Sequence, residues 1–489
     1  LQYYRSMVEL VTLTTIALSI LSIIISLIVY GSIREKVKYS VVIDFVAFLT
    51  LVDIFLWNLM PAILRLFSGG QHEISIGVSP VEMLEVYIIE FISLLLFYIA
   101  FIAIFHVTKL NFVYFRLNSI RKIIYRNKIQ VSNLYTPYFS SKLKPFKLFS
   151  MFIVALGVYF EIQQLALGGQ VGITPALDWI LVPVVIKSSF IFLLHFVFTN
   201  KLNSRKSMTN VLSVVTLFML LGLGAVSGSH GNIVAPVLYI IFYNIFHNMN
   251  RPTIYISLFL MAFLSLFYEE LHQVRAYAGM ANVENIGAFE KLNLIVNSDS
   301  AVSETHTPGS SLLDKVEWRF GENSRKSVGY VRMHDKGESA GFLPLISSLY
   351  LLPRSFFPEK PTPGSVDGTE LGMGIRLMHY ELVGSLWNMS GFFTGLHSYW
   401  EHGLLGVVIT SVLVGVYSAI LLILCGNMIY VGLPLIIIMH DTWWWAAPKL
   451  WSYEVSIQLF NLLIPFLIIW YGFKFIYIMV NNTARFIFK

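Results

Sequence analysis

The chain has 489 residues, of which 56% are hydrophobic and only 13% charged, with a mean hydropathy of +0.69. Soluble domains carry about 25% charged residues, so there is too little charge here for a water-facing surface, and a set of soluble domains is excluded. The formal charge of +6 does not point to nucleic acid, because the basic residues cluster in short links between apolar stretches, where the positive-inside rule puts them. A single cysteine, Cys425, allows no disulfide framework and no thiolate metal site within one chain.

Stretches of about eighteen or more apolar residues can cross about 30 Å of hydrocarbon as helices. In chain order they predict about eleven spans: 8–30, 41–65, 85–107, 148–166, 179–198, 211–227, 232–247, 253–268, 403–424, 429–446 and 455–478. The fold class expected is therefore all-α: a polytopic membrane protein with one large, partly helical external loop. Alternate links are basic. Arg34, Lys36 and Lys38 form one, the segment 109–147 with no Asp or Glu forms the next, and Lys201, Arg205, Lys206 and then Arg251 follow. These links belong on the cytoplasmic face, which puts the amino terminus and the segments 68–84, 168–178, 228–231, 269–402 and 440–454 outside. Within 109–147 the charges interleave with aromatic and aliphatic residues, as an amphipathic helix on anionic lipid would require, although topological retention alone also accounts for them.

Three regions follow: helices 1–8 over 1–268, an external loop domain over 269–402, and helices 9–11 over 403–489. Asp44, Asp53, Glu90, Glu161, Lys187 and His195 fall within predicted spans, where an unpaired charge costs at least about 2.5 kcal/mol. They should face the protein interior. One reading makes them a proton or substrate pathway; the other pairs Lys187 with Glu161 or Asp53 as interhelical glue.

The loop 269–402 carries eleven Lys/Arg, sixteen Asp/Glu and six His, so it is charged without bias to one sign. A loop this long is expected to fold over the membrane face, with helical pieces near 312–334, 339–352 and 374–388. On 374–388, Arg376 lies one turn from His379 and Tyr380, so that cation, imidazole and phenol share a face. Arginine suits a diphosphate leaving group because its planar fork can bind phosphate bidentately, and Arg319, Arg332, Arg354 and Arg376 are the candidates. A hydroxyl acceptor needs a base within hydrogen-bond reach; the candidates are His379, His397, Glu401 and His402. His397 and Glu401 are four residues apart, which on a helix lets the carboxylate orient the imidazole. Between Pro353 and Pro361, three prolines hold Arg354 and Lys360 on a stiff, non-helical scaffold. No helix repeats His and carboxylates in a metal-ligand pattern, so neither a metal nor a cofactor is expected.

The order of a long external loop, the run Pro-Arg-x-x-x-Pro-x-Lys-Pro at 353–361, and Gly391-Phe-Phe-Thr-Gly395 leading to Tyr399-Trp400-Glu401-His402-Gly403-Leu404-Leu405-Gly406 resembles bacterial oligosaccharide repeat-unit polymerases of the O-antigen polymerase (Wzy) type. More distantly it resembles the O-antigen ligases. The match covers about 353–406, with the span layout supporting the rest. The resemblance implies an inner-membrane glycosyltransferase that joins undecaprenyl-diphosphate-linked glycan units on the outer face, without nucleotide or metal. It implicates Arg354, Lys360 and the stretch from Tyr399 to Gly403. One departure is Ser227-Gly228-Ser229-His230-Gly231, where related proteins often show a Gly-Ser-Arg-Gly-like turn; His230 stands for the arginine, and when protonated it would still bind phosphate. Tyr380, Trp387, Tyr399 and Trp400 are candidates for contact with sugar, although interfacial anchoring is the commoner use of such aromatics. The expected partners are the lipid-linked oligosaccharide, membrane lipids and, as an open alternative, a chain-length regulator. A ligase using another acceptor and a lipid-glycan transporter that makes no bond are the competing functions.

Overall fold

The structure is a computed structural model that describes residues 2–34, 40–68, 78–124, 148–149, 151–157, 159–160, 185, 322–337, 394–427, 435–436 and 463–487. The described residues are helical, with no strand among them. Seven α-helices carry the account: α1 (Gln2–Arg34), α2 (Ser40–Ile54), α3 (Met60–Ser68), α4 (Pro80–Ile124), α5 (Glu322–Asp335), α6 (Thr394–Asn427) and α7 (Ile464–Ile487). A π-helical turn, Phe55–Leu59, joins α2 to α3. Among the described residues, three helical stretches are long and apolar enough to cross a membrane: Ser6–Arg34, Pro80–His106 and His402–Gly426. They coincide with the predicted first, third and ninth spans. The predicted second span, 41–65, is helical too, but the π-helical turn divides it. The apolar part of α7, Ile464–Val480, is shorter. The spans predicted over 179–198, 211–227, 232–247, 253–268 and 429–446 lie outside the described residues, apart from short fragments at 185 and 435–436, as do the loop pieces 339–352 and 374–388.

The chain divides into two compact units. One comprises Leu1–Asn118, Thr305–Asn427 and Trp443–Ile457, and the other Ser119–Glu304, Met428–Thr442 and Gln458–Lys489.

In the first unit α1 presents a buried stripe of Thr12, Thr15, Ser19, Ser22 and Ser26. The alternating three- and four-residue spacing keeps these small side chains on one face, which lets neighbouring backbones approach closely. Each hydroxyl donates to the carbonyl four residues back, at 2.7–2.9 Å, so none of these donors is stranded away from water. Large apolar side chains such as Leu10, Leu13 and Ile28 point outward and stay exposed, as expected of a surface whose solvent is lipid.

Contacts between helices set their directions. Tyr98 on α4 donates to Ser26 on α1 at 2.6 Å, and Tyr30 packs edge-on against both Tyr98 and Phe101, with 6.0 Å between ring centroids in each pair. Ser93 on α4 shares a 2.7 Å hydrogen bond with Ser411 on α6. One to two turns further on, a Cβ at Gly415 would lie 2.5 Å from the Phe97 carbonyl oxygen, so the glycine permits close contact between α4 and α6. Helices α1, α4 and α6 therefore run parallel. Helix α2 runs against α1: Tyr30 bonds Thr50 at 3.1 Å, and Arg34 grips Asp44 with two hydrogen bonds of 2.7 and 3.0 Å. Asp44, placed within a span by the sequence, thus finds its partner in the first basic link.

In the second unit Phe149 sits among Phe466, Trp470 and Phe473, with centroid separations of 4.8–6.2 Å. A smaller core of Phe160 and Val185 packs with Leu156 and Ile469.

Candidate functional site

The described candidates gather where α4 and α6 begin. Helix α4 opens with Ser79-Pro80-Val81-Glu82, a capping box. The Ser79 amide donates to Glu82 Oε2 at 2.8 Å, and the Glu82 amide donates to Ser79 Oγ at 3.2 Å. Proline at the first helical position gives up no needed donor. The box fixes the Glu82 carboxylate in place, and Arg332 of α5 meets it with both arms of its fork, Nε to Oε1 at 2.7 Å and Nη2 to Oε2 at 3.0 Å. Bidentate geometry makes this stronger than an ordinary surface pair.

Helix α5 has a polar composition yet buries Ser327, Val328, Tyr330 and Val331. It ends at Gly337, whose φ of +70° suits glycine at a helix C-terminus. The closing bonds are Lys336 N–H to the Arg332 carbonyl at 3.0 Å and Gly337 N–H to the His334 carbonyl at 2.9 Å. Arg332 and His334 lie in the last turn, where positive charge meets the negative end of the helix dipole.

Helix α6 is two helices joined by a sharp break. His402 (φ −140°, ψ 16°) leaves the helical region, and Gly403 (φ +59°, ψ −147°) adopts a conformation essentially reserved for glycine. Ser398 Oγ and Thr410 Oγ1, twelve residues apart, lie 2.6 Å from each other, whereas in an unbroken helix they would be separated by about 18 Å. The first piece therefore doubles back on the second. Gly406 allows this contact, because a Cβ there would collide with the Ser398 carbonyl.

The His334 imidazole lies over this break. A Cβ at Gly403 would come within 3.2 Å of its Nε2, and its ring centre is 4.7 Å from that of Tyr399. The Tyr399 hydroxyl donates to Glu85 Oε1 at 3.3 Å. Burial pushes the Tyr399 phenol above its ordinary 10.0, and the Glu85 and Asp335 carboxylates and the hydrogen bond to Glu85 push the same way. It is thus held as a neutral donor at physiological pH. Carboxylate, phenol and imidazole meet at one end of the bundle, beside an arginine fork already held by a carboxylate.

Among the sequence candidates, Tyr399 and Arg332 are brought into this cluster, and His402 stands at the break. His397, Trp400 and Glu401 lie on the helical backbone of the first piece of α6. His230, Arg319, Arg354, Lys360, Arg376, His379, Tyr380 and Trp387 lie outside the described residues. Sequence reasoning missed Glu82, Glu85 and His334. The Ser-x-x-Glu signature at 79–82 was available to mark the helix start and to draw attention to the two glutamates one turn apart. Among the described residues no group of three or more His, Cys, Asp or Glu is spaced to hold a metal ion. Comparison with protein-family models, with curated proteins and with solved structures found no match to this chain.

Proposed function

We propose that this chain is a membrane glycosyltransferase that polymerises undecaprenyl-diphosphate-linked oligosaccharide repeat units. The observation that carries the proposal is the docking of Arg332 onto Glu82 and of His334 onto the Tyr399–Gly403 break, where the Tyr399 hydroxyl also bonds Glu85. Residues from the segment read as an external loop thereby join the stretch that resembles the polymerases, at the end of two apolar helices. A lipid-linked substrate needs that arrangement, with polar chemistry at the edge of a hydrocarbon-facing bundle. The parallel run of α4 and α6 suits the eleven-span layout, in which both are odd-numbered spans entering from the external face.

In this mechanism the diphosphate is held by Arg319, Arg332, Arg354, Lys360 and Arg376, with His230 assisting. Glu82 keeps the Arg332 fork oriented until phosphate oxygens compete for it. The acceptor hydroxyl oxygen attacks the anomeric carbon as its bond to the diphosphate oxygen breaks. Undecaprenyl diphosphate departs with that electron pair, its charge balanced by the arginines. A base drawn from His379, His397, Glu401 and His402, now joined by His334 and Glu85, takes the hydroxyl proton.

The test is reconstitution with lipid-linked oligosaccharide, comparing wild type with Arg354→Ala and His379→Ala. Each variant is expected to lose about 100-fold or more in chain extension. Unchanged product ladders from both would refute these roles.

A further inference from the structure

Glu85 stands one turn beyond Glu82 on α4, a spacing that puts about 5–6 Å between the two Cβ atoms on one side of a helix. Glu82 is engaged twice, by the Ser79 amide and by the Arg332 fork. Glu85 is engaged once. Its carboxylate accepts the Tyr399 hydroxyl on Oε1 at 3.3 Å and makes no other hydrogen bond or ion pair among the described residues. A carboxylate offers about four acceptor positions on its two oxygens, so Oε2 can still accept from a group brought to it. Glu85, Tyr399 and His334 are all half-buried, which leaves the cluster accessible from the end of the bundle.

The surroundings hold this acceptor in place. Tyr399 reaches it from the first piece of α6, while Ser93–Ser411 and the close approach at Gly415 fix α4 against the second piece. Because the phenol is kept neutral, it continues to donate to the carboxylate. Beside the carboxylate stand the Tyr399 and His334 rings, with 4.7 Å between their centres. A sugar matches this combination, since its hydroxyls donate and its C–H faces pack on aromatic rings. A bond from hydroxyl to carboxylate is of the short, charge-assisted kind. Phosphate does not match, because it brings like charge to Glu85. Its place is the Arg332 fork one turn away, a separation on the scale of one sugar ring.

We propose that Glu85 is a glycan-binding residue whose Oε2 accepts a hydroxyl of the sugar next to the diphosphate, with Tyr399 as the positioning residue that fixes the carboxylate. The identity of the ligand as a glycan rests on the glycosyltransferase reading. Binding, not proton transfer, is the role assigned to Glu85.

The test is calorimetric titration of the full chain, purified in detergent, with the lipid-free oligosaccharide of one defined repeat unit. Glu85→Gln retains an oxygen for the Tyr399 bond but replaces the second acceptor with a donor, so affinity is expected to fall about 10-fold or more. Tyr399→Phe should weaken binding in the wild-type background and add nothing to Glu85→Gln, because it acts through that carboxylate. Glu9→Gln, the same charge change on an exposed position of α1, should bind as wild type. Should Glu85→Gln yield no folded protein, Tyr399→Phe decides, and wild-type affinity in that variant would overturn the subsite. Wild-type affinity in Glu85→Gln would overturn it, as would an equal loss in Glu9→Gln or a wild-type chain that binds no oligosaccharide. Because binding is read without bond formation, the two readings fail separately. Chain extension by a Glu85→Gln variant of unchanged affinity would remove the subsite alone, whereas Glu85-dependent binding without extension by the wild type would keep the subsite and remove the glycosyltransferase.

Discussion

Gly406→Val is expected to destabilise the chain by about 3 kcal/mol or more, or to prevent recovery of folded protein. Even a Cβ at this position meets the Ser398 carbonyl, a backbone group with no rotamer into which it can retreat. Valine adds two further methyl groups. Relief would require the first piece of α6 to move away from the second, parting the Ser398 and Thr410 hydroxyls and disturbing the Tyr399–His334 contact beside them. Gly31→Ala is the control. It lies on α1 with open space around it, and there alanine should be neutral or stabilising by up to about 1 kcal/mol through helix propensity. Thermal unfolding of the purified variants in detergent measures both. Equal midpoints for wild type and Gly406→Val would mean that the two pieces of α6 do not fold back on one another.

Glu82→Ala should cost about 1–3 kcal/mol, since it removes two contributions together. The Ser79 amide loses its acceptor at the helix start, and the Arg332 fork loses its partner. The side chains of Arg332 and Glu82 are 33% and 25% exposed, so solvent screening keeps the charge contribution well below that of a fully buried pair. A double-mutant cycle with Glu82→Gln and Arg332→Gln isolates the pair, and a coupling of about 1–2 kcal/mol is expected. A coupling near zero would mean that the ion pair contributes nothing to holding α5 against α4.

The elements legible in the sequence were those written in apolar length. The stretches 8–30, 85–107 and 403–424 required no tertiary information, because about twenty apolar residues are a sufficient signal. The π-helical turn left no comparable trace: one extra residue per turn shifts the register inside a stretch that is apolar on all sides, and no periodicity reports it. The reading placed Gly403 at the start of a span, but glycine is common in such helices, so its left-handed role at a break could not be separated from an ordinary packing role. The helical piece near 312–334 was legible in kind, and its described portion is Glu322–Asp335. Its docking was not legible, because Arg332 and Glu82 are 250 residues apart and one sequence carries no record of such pairs. Arg332 was singled out for its affinity for phosphate, and that same bidentate fork also suits a carboxylate. Local chemistry nominated the group and tertiary structure supplied its partner.

The most direct test of the glycosyltransferase account is to place the purified wild-type chain in liposomes with one defined undecaprenyl-diphosphate-linked repeat unit and to resolve the products by length. The account predicts a ladder of lipid-linked glycans extended by whole repeats, with one undecaprenyl diphosphate released for each new linkage. Folded protein that yields no product longer than the starting unit, while moving that unit across the bilayer, would contradict it.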